Sequence, residues 1–273
     1  LIDNHKSAGE YSPALFVSRQ EFLFMSSLLI PKVIGHRGAK AYAPENTLSS
    51  IHAAADLGIE WVELDVKLTR DGMAVIFHDE ELLRCTGAEG LMKDLDWKDV
   101  QELDAGSWYG DSFIGEKIPT LEDALNVILD RGLGLNLEIK PCPGREKETA
   151  EVALDVISRI WPEDGPPPLI SSFQHVSLET AMDMIPEWPR GFLLDEHLPD
   201  WRQLAEYLEA ATINFNGNTA TREEVEEYME LQKPLLAYTI NDPEMARELM
   251  RWGVDGVFAD NPDVIREAIE TRH

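Results

Sequence analysis

The chain has 273 residues, 44% of them hydrophobic, and its 51 Asp and Glu against 24 Lys and Arg leave a formal charge of −27. That length admits one (β/α)8 barrel of roughly 250 residues or two smaller domains. Such a charge repels nucleic acid and anionic membranes, so an anionic ligand would need a metal or placed cations to dock.

Residues 1 to 24 show no convincing period, and Met25 reads as a more natural start than Leu1. The apolar stretch 22–30 lacks the basic flank and small-residue cleavage site of a signal peptide. Residues 1–30 are therefore expected to be a leader or expression-derived segment outside the core, with 31–273 forming a single domain. No apolar run approaches the ~20 residues that span a bilayer, so no membrane insertion is expected. Cys85 and Cys142 form no disulfide framework, and a reducing, cytoplasmic location is the simpler expectation.

From Val33 onward short apolar runs alternate with helical patterns. Strands are predicted at 33–35, 61–66, 73–78, 134–139, 168–173, 191–195, 212–215, 235–240 and 256–259, and helices at 47–58, 120–132 and 242–253 among others. This alternation means a parallel sheet clothed in helices. The expected fold is α/β, a TIM barrel, although nine candidates compete for eight places. A doubly wound open sheet is the alternative, but no Gly-rich phosphate loop follows the first strand. Residues 79–119 are too long for an ordinary connection and read as a small inserted cap after the third strand. Trp97, Trp108 and Tyr109 would pack it or line a pocket.

The C-terminal ends of barrel strands are where catalytic groups collect. The first strand ends in His36-Arg37, the second carries Glu63 and Asp65 on one face, and the third ends in His78-Asp79. The fourth carries Glu138 and Lys140. Each feature alone is weak; their conjunction is not. Inward carboxylates on apolar strands are costly unless paired or bound to metal, and three together suit a hard divalent cation, Mg²⁺ or Ca²⁺. Two histidines near their ordinary pKa of ~6.5 would supply a general base and a general acid. Arg37 and Lys140 suit phosphate oxygens. The sum is a site for a phosphodiester. Pro44-Glu45-Asn46-Thr47 starts the first helix, and Glu45 is also a candidate substrate contact.

His36-Arg37-Gly38, Pro44 to Thr47, "ELD" (63–65), "DGMAVIFHD" (71–79) and "LEIK" (137–140) resemble the glycerophosphodiester phosphodiesterase family in order and spacing. Within it, "DAGSWYG" (104–110), "LISSF" (169–173), "RGFLLDE" (190–196), "DWRQL" (200–204) and "LMRWGVDG" (249–256) are similar to the cytoplasmic bacterial enzyme of glycerol-3-phosphate uptake. The resemblance implies metal-dependent hydrolysis of small-molecule glycerophosphodiesters to an alcohol and sn-glycerol 3-phosphate. It implies His36 and His78 as the acid/base pair, Glu63, Asp65 and Glu138 as metal ligands, and Arg37 and Lys140 on the phosphate. Tyr238-Thr239 and Ala259-Asp260 depart from the family's common Trp-Thr and Thr-Asp. Placed at the far rim, they would bear on alcohol preference, with Tyr238 a candidate substrate contact. The alternatives are a related phosphodiesterase or lyase on the same barrel and a non-catalytic glycerophosphodiester-binding protein. The oligomeric state is not legible.

Overall fold

A computed structural model describes residues 28–271. Nine strands form one sheet in the order β1-β9-β8-β7-β6-β5-β4-β2-β3, and β1 also pairs with β2. Eight of them are parallel and close on themselves. They are β1 (Val33–His36), β2 (Trp61–Leu68), β4 (Gly134–Ile139), β5 (Leu169–Ser172), β6 (Arg190–Leu194), β7 (Thr212–Asn216), β8 (Leu235–Tyr238) and β9 (Gly256–Ala259). The expected TIM barrel is the fold. The surplus candidate is β3 (Ala74–Ile76), which runs antiparallel to the end of β2, Leu68 opposite Ala74 and Val66 opposite Ile76.

Period-two patterning explains the closure. Val62, Leu64, Val66 and Leu68 of β2, with Leu135, Leu137 and Ile139 of β4, face outward into one apolar layer with helices Leu121–Arg131 and Glu146–Ile160. A second layer joins β6 to β9 to the helices of the other half, around Phe192, Ile213, Phe215 and Val257. Burying each such side chain contributes about 1.5–3 kcal/mol. Inside the barrel, Ile34, Trp61, Leu169, Leu236 and Phe258 form an apolar floor, and the upper interior is polar. Leu28 and Ile30 pack against that floor. Leu29 between them is exposed, and residues 1–27 of the expected outer segment lie outside the described ones.

The inserted cap spans Phe77 to Thr120 and has a small core of its own, in which Leu82, Cys85, Met92, Val100 and Ile118 meet Val75 and Phe77. Its two ends are stitched side by side. The Ile76 amide donates to the Pro119 carbonyl at 2.9 Å, and Val75 bridges to Thr120. Trp97 packs on this core, while Trp108 donates its indole N–H to the Ala105 carbonyl at 2.8 Å and stands edge-on to Tyr109.

The turn after β1 is tight. Arg37 and Gly38 both have left-handed backbones, at φ 52° and 84°, and the Gly38 amide donates to the Glu63 carbonyl at 3.2 Å. A Cβ on Gly38 would lie 2.7 Å from the carbonyl carbon and Cβ of Ser50, in the first helix, Leu48–Asp56. Gly38→Ala combines a backbone clash with an unfavourable φ, and it is expected to destabilise the protein by roughly 3 kcal/mol. Urea unfolding checks this: a midpoint equal to that of the wild type would show that the turn tolerates a side chain.

Candidate active site

The polar upper interior gathers what the strand pattern placed there. Strand register sets His36 level with Glu63, and Asp65 level with Glu138. One ligand oxygen from each of Glu63, Asp65 and Glu138 lies within 4.8 Å of the other two. All three carboxylates are buried, and their pKa values diverge. Burial, then the charges of Asp65 and Glu138, push Glu63 well above the ordinary carboxylate range. Burial and Asp65 likewise raise Glu138 against the pull of Lys140. Asp65 goes the other way: burial opposes ionisation, but Arg37, His78 and Lys140 hold its carboxyl low. Glu63 Oε1 is buried with no hydrogen-bond partner. An orphaned oxygen in a trio of close acids fits a hard divalent cation, which takes oxygen ligands.

Cations flank the trio. Lys140 Nζ donates to Glu138 Oε1 at 2.8 Å and lies 3.9 Å from Asp65 Oδ1. The Arg37 amide donates to Glu63 Oε2 at 2.9 Å, its Nε lies 3.3 Å from Asp65 Oδ2, and its Nη1 donates to Glu45 Oε1 at 2.6 Å. Glu45 is buried beneath these groups. It therefore orients Arg37, and its own carboxylate is already occupied by donors. Tyr238 donates its hydroxyl to the Leu194 carbonyl at 2.7 Å and sets its ring against Phe173. Its polar atom is thus committed to the barrel.

Each histidine is held by a carboxylate. His36 Nδ1 donates to Asp260 Oδ1 at 2.6 Å, and His78 Nδ1 donates to Asp79 Oδ1 at 2.7 Å. Both rings are thereby fixed with the proton on Nδ1, leaving Nε2 bare; His36 Nε2 is 4.0 Å from Glu63 Oε2. Neither keeps its ordinary pKa, contrary to the expectation from sequence. Burial lowers His36 despite Asp260. Burial, with Arg37 and Lys140 acting against Asp65 and Asp79, pushes His78 down to about 4. Both rings are neutral at neutral pH.

Two placements differ from the sequence expectation. His78 does not stand at the top of a barrel strand. It arrives because antiparallel β3 turns back down the barrel, the Phe77 amide donating to the Asp65 carbonyl at 2.9 Å. Asp260 is not at a far rim from the chemistry, because β9 pairs with β1 and closure brings it onto His36. Other groups went unread. Asn46 donates to Asp65 Oδ2 at 2.8 Å from a left-handed backbone, and Lys67 donates to the His78 carbonyl at 2.8 Å. The E-x-D-x-K alternation of β2 carried the signal for Lys67. A cleft of about 620 Å³ opens on the His78 and Lys140 side of the site, lined by Lys67, His78, Glu138, Lys140, Phe173 and Gln174 among others.

Glu45 also links the site to acid stability. Burial opposes its ionisation, but Arg84, Arg37 and Lys40 hold its carboxyl at about 2, below the ordinary 4.5. A depressed folded value gives stabilisation present above about pH 4.5 and lost as pH falls through about 2, on the order of 3 kcal/mol in all. Glu45→Gln is expected to be less stable at pH 7 and to lose stability less steeply between those limits. Urea midpoints at pH 7, 4 and 3 test it; parallel profiles for variant and wild type would contradict it.

The chain matches the sequence model of the glycerophosphoryl diester phosphodiesterase family over residues 36–264. It is 34% identical, over 237 residues, to a glycerophosphodiester phosphodiesterase of Caldanaerobacter subterraneus, covering 85% of this chain and 95% of that protein. Among solved structures, a phosphodiesterase of Oleispira antarctica in complex with the product sn-glycerol-3-phosphate is 41% identical, with a TM-score of 0.85 and coverage of 89% of this chain and 98% of that one. A glycerophosphodiester phosphodiesterase of Thermotoga maritima is 27% identical, with a TM-score of 0.70 over 87% and 98% of the two chains.

Proposed function

The chain belongs to the glycerophosphoryl diester phosphodiesterase family, and from that premise we propose that it hydrolyses glycerophosphodiesters to an alcohol and sn-glycerol 3-phosphate through His36 and His78, aided by a divalent cation. The supporting observation is the pair of half-buried imidazoles, each with Nδ1 tied to a carboxylate and Nε2 bare, around one trio of acids. The structural relative that binds sn-glycerol-3-phosphate is consistent with that substrate class.

Glu63, Asp65 and Glu138 would hold Mg²⁺ or Ca²⁺, which when bound supplies charge neutralisation for a phosphoryl group and a lowered pKa for a hydroxyl or water. The protein's own part is positioning and proton movement. Arg37 and Lys140 receive phosphate oxygens. A neutral Nε2 is ready to take a proton from the glycerol 2-hydroxyl or from water. The other imidazole becomes the acid when the phosphodiester's negative charge lies beside it and raises its affinity for a proton, which it then gives to the leaving alkoxide. Asp79 and Asp260 keep each ring in the tautomer that makes this exchange possible. The Lys140 ammonium lies 5.2 Å from the centre of the Phe173 ring, and Tyr238 stands edge to face with that ring, beside which the alcohol group can pack. No helix among the described residues is long and apolar enough to cross a membrane.

The test is an enzyme-coupled assay for sn-glycerol 3-phosphate over glycerophosphocholine, glycerophosphoethanolamine and glycerophosphoglycerol, with and without chelator. Turnover that chelator abolishes and Mg²⁺ or Ca²⁺ restores is the expected result. No release from any diester would leave a binding protein.

A further inference from the structure

The two halves of the site are joined by a residue that belongs to neither. Arg84 sits in the cap, on the single-turn helix Leu83–Thr86. Its Nε donates to Asp79 Oδ2 at 2.6 Å and its Nη2 to Asp79 Oδ1 at 2.9 Å. The same guanidinium donates from Nη1 to Glu45 Oε2 at 2.8 Å and from Nη2 to Glu45 Oε1 at 2.7 Å. Asp79 in turn holds His78, and Glu45 holds Arg37. One unbroken chain of charge-assisted hydrogen bonds therefore runs His78–Asp79–Arg84–Glu45–Arg37.

We propose that Arg84 is a positioning residue for the reaction, the means by which the cap fixes the orientation of His78 and, secondarily, of Arg37. This rests on the acid/base reading of His78 given above. A planar guanidinium forks onto both oxygens of each carboxylate at once; an ammonium in its place, with its donors on a single nitrogen, cannot make all four of these bonds. The two arms are unequal. Without Arg84, Glu45 still has Arg37 and, at 3.6 Å, Lys40. Asp79 would keep only the hydrogen bond from His78, so its carboxylate would be free to rotate and the imidazole with it. Arg84 is itself steadied from the cap side, its guanidinium carbon 6.0 Å from the centre of the Trp108 ring. Trp108, Tyr109 and Phe113 then stack edge to face behind it.

The test is a double-mutant cycle on glycerophosphocholine, with melting temperature as the control for folding. Arg84→Ala is expected to lower kcat about tenfold or more, as small misplacements of a catalytic group do. Arg84→Lys is expected to recover little of it. In a His78→Ala background Arg84→Ala should cost less than about threefold, because the group it orients is already gone. Should Arg84→Ala fail to fold, the same cycle with Arg84→Lys decides. Wild-type kcat in a folded Arg84 variant would overturn the proposal, as would an equal cost in both backgrounds. If His78→Ala itself turns over like the wild type, the acid/base reading fails first. An impaired His78→Ala with an additive cycle sinks the positioning role alone.

Discussion

His36→Ala and His78→Ala are each expected to lower kcat on glycerophosphocholine by roughly 10²-fold or more, with the fold intact. Neither ring is part of an apolar layer, so its loss opens no cavity in the packing between barrel and helices. Each is instead one end of a hydrogen-bonded pair. Removing His36 leaves Asp260 with the Asn241 amide at 2.8 Å and Lys40 at 4.0 Å. Removing His78 leaves Asp79 with the two donors of Arg84. Both stranded carboxylates stay compensated, which is why melting temperature should move little while turnover collapses. Steady-state kinetics beside thermal unfolding decides the matter. Near-wild-type turnover by either folded variant would remove that histidine from the chemistry.

Chelation is expected to have the second large effect, and its clearest reading is in stability. Glu63, Asp65 and Glu138 repel one another in a buried space, and Glu63 bears an oxygen with no partner. Saturating Mg²⁺ or Ca²⁺ at about 100 times its Kd would stabilise the folded state by about 2.7 kcal/mol, raising Tm by about 5 °C or more for a domain of this size. Glu63→Gln should abolish both that rise and the activity. In chelator the same variant should melt no lower than the wild type, since the substitution removes one of three crowded acids. A melting curve indifferent to divalent ions, with turnover that survives chelator, would show that Lys140 and Arg37 alone balance the trio.

Much of this site was legible because side-chain direction in a strand is periodic. Glu63 and Asp65 had to share a face of β2, and Glu138 and Lys140 a face of β4, whatever the rest of the chain did. What escaped depended on closure or on a change of direction. Asp260 looks remote from His36 in a linear list of strands, and only the pairing of β9 with β1 makes them neighbours. His78 was expected at the top of a barrel strand, yet β3 is antiparallel, and the residue reaches the site by running downward. The displaced pKa values of both imidazoles follow from burial, which no residue pattern reports. Arg84 was hidden in another way: a lone arginine in an irregular insertion carries no periodic signal, and its role emerges only when two carboxylates from distant segments meet it.

The paired entrance and exit of the cap have a consequence for how such a protein can diversify. Ile76 and Pro119 are bonded to each other, so the barrel feels a closed neck and not the length of what hangs from it. The segment beyond about residue 87 could be exchanged for a longer or shorter one, as a cartridge is, without shifting a single barrel strand. What must travel unchanged is the short lead from His78 to Arg84, together with the Trp108 ring that steadies it, for there the removable part is wired to the fixed one.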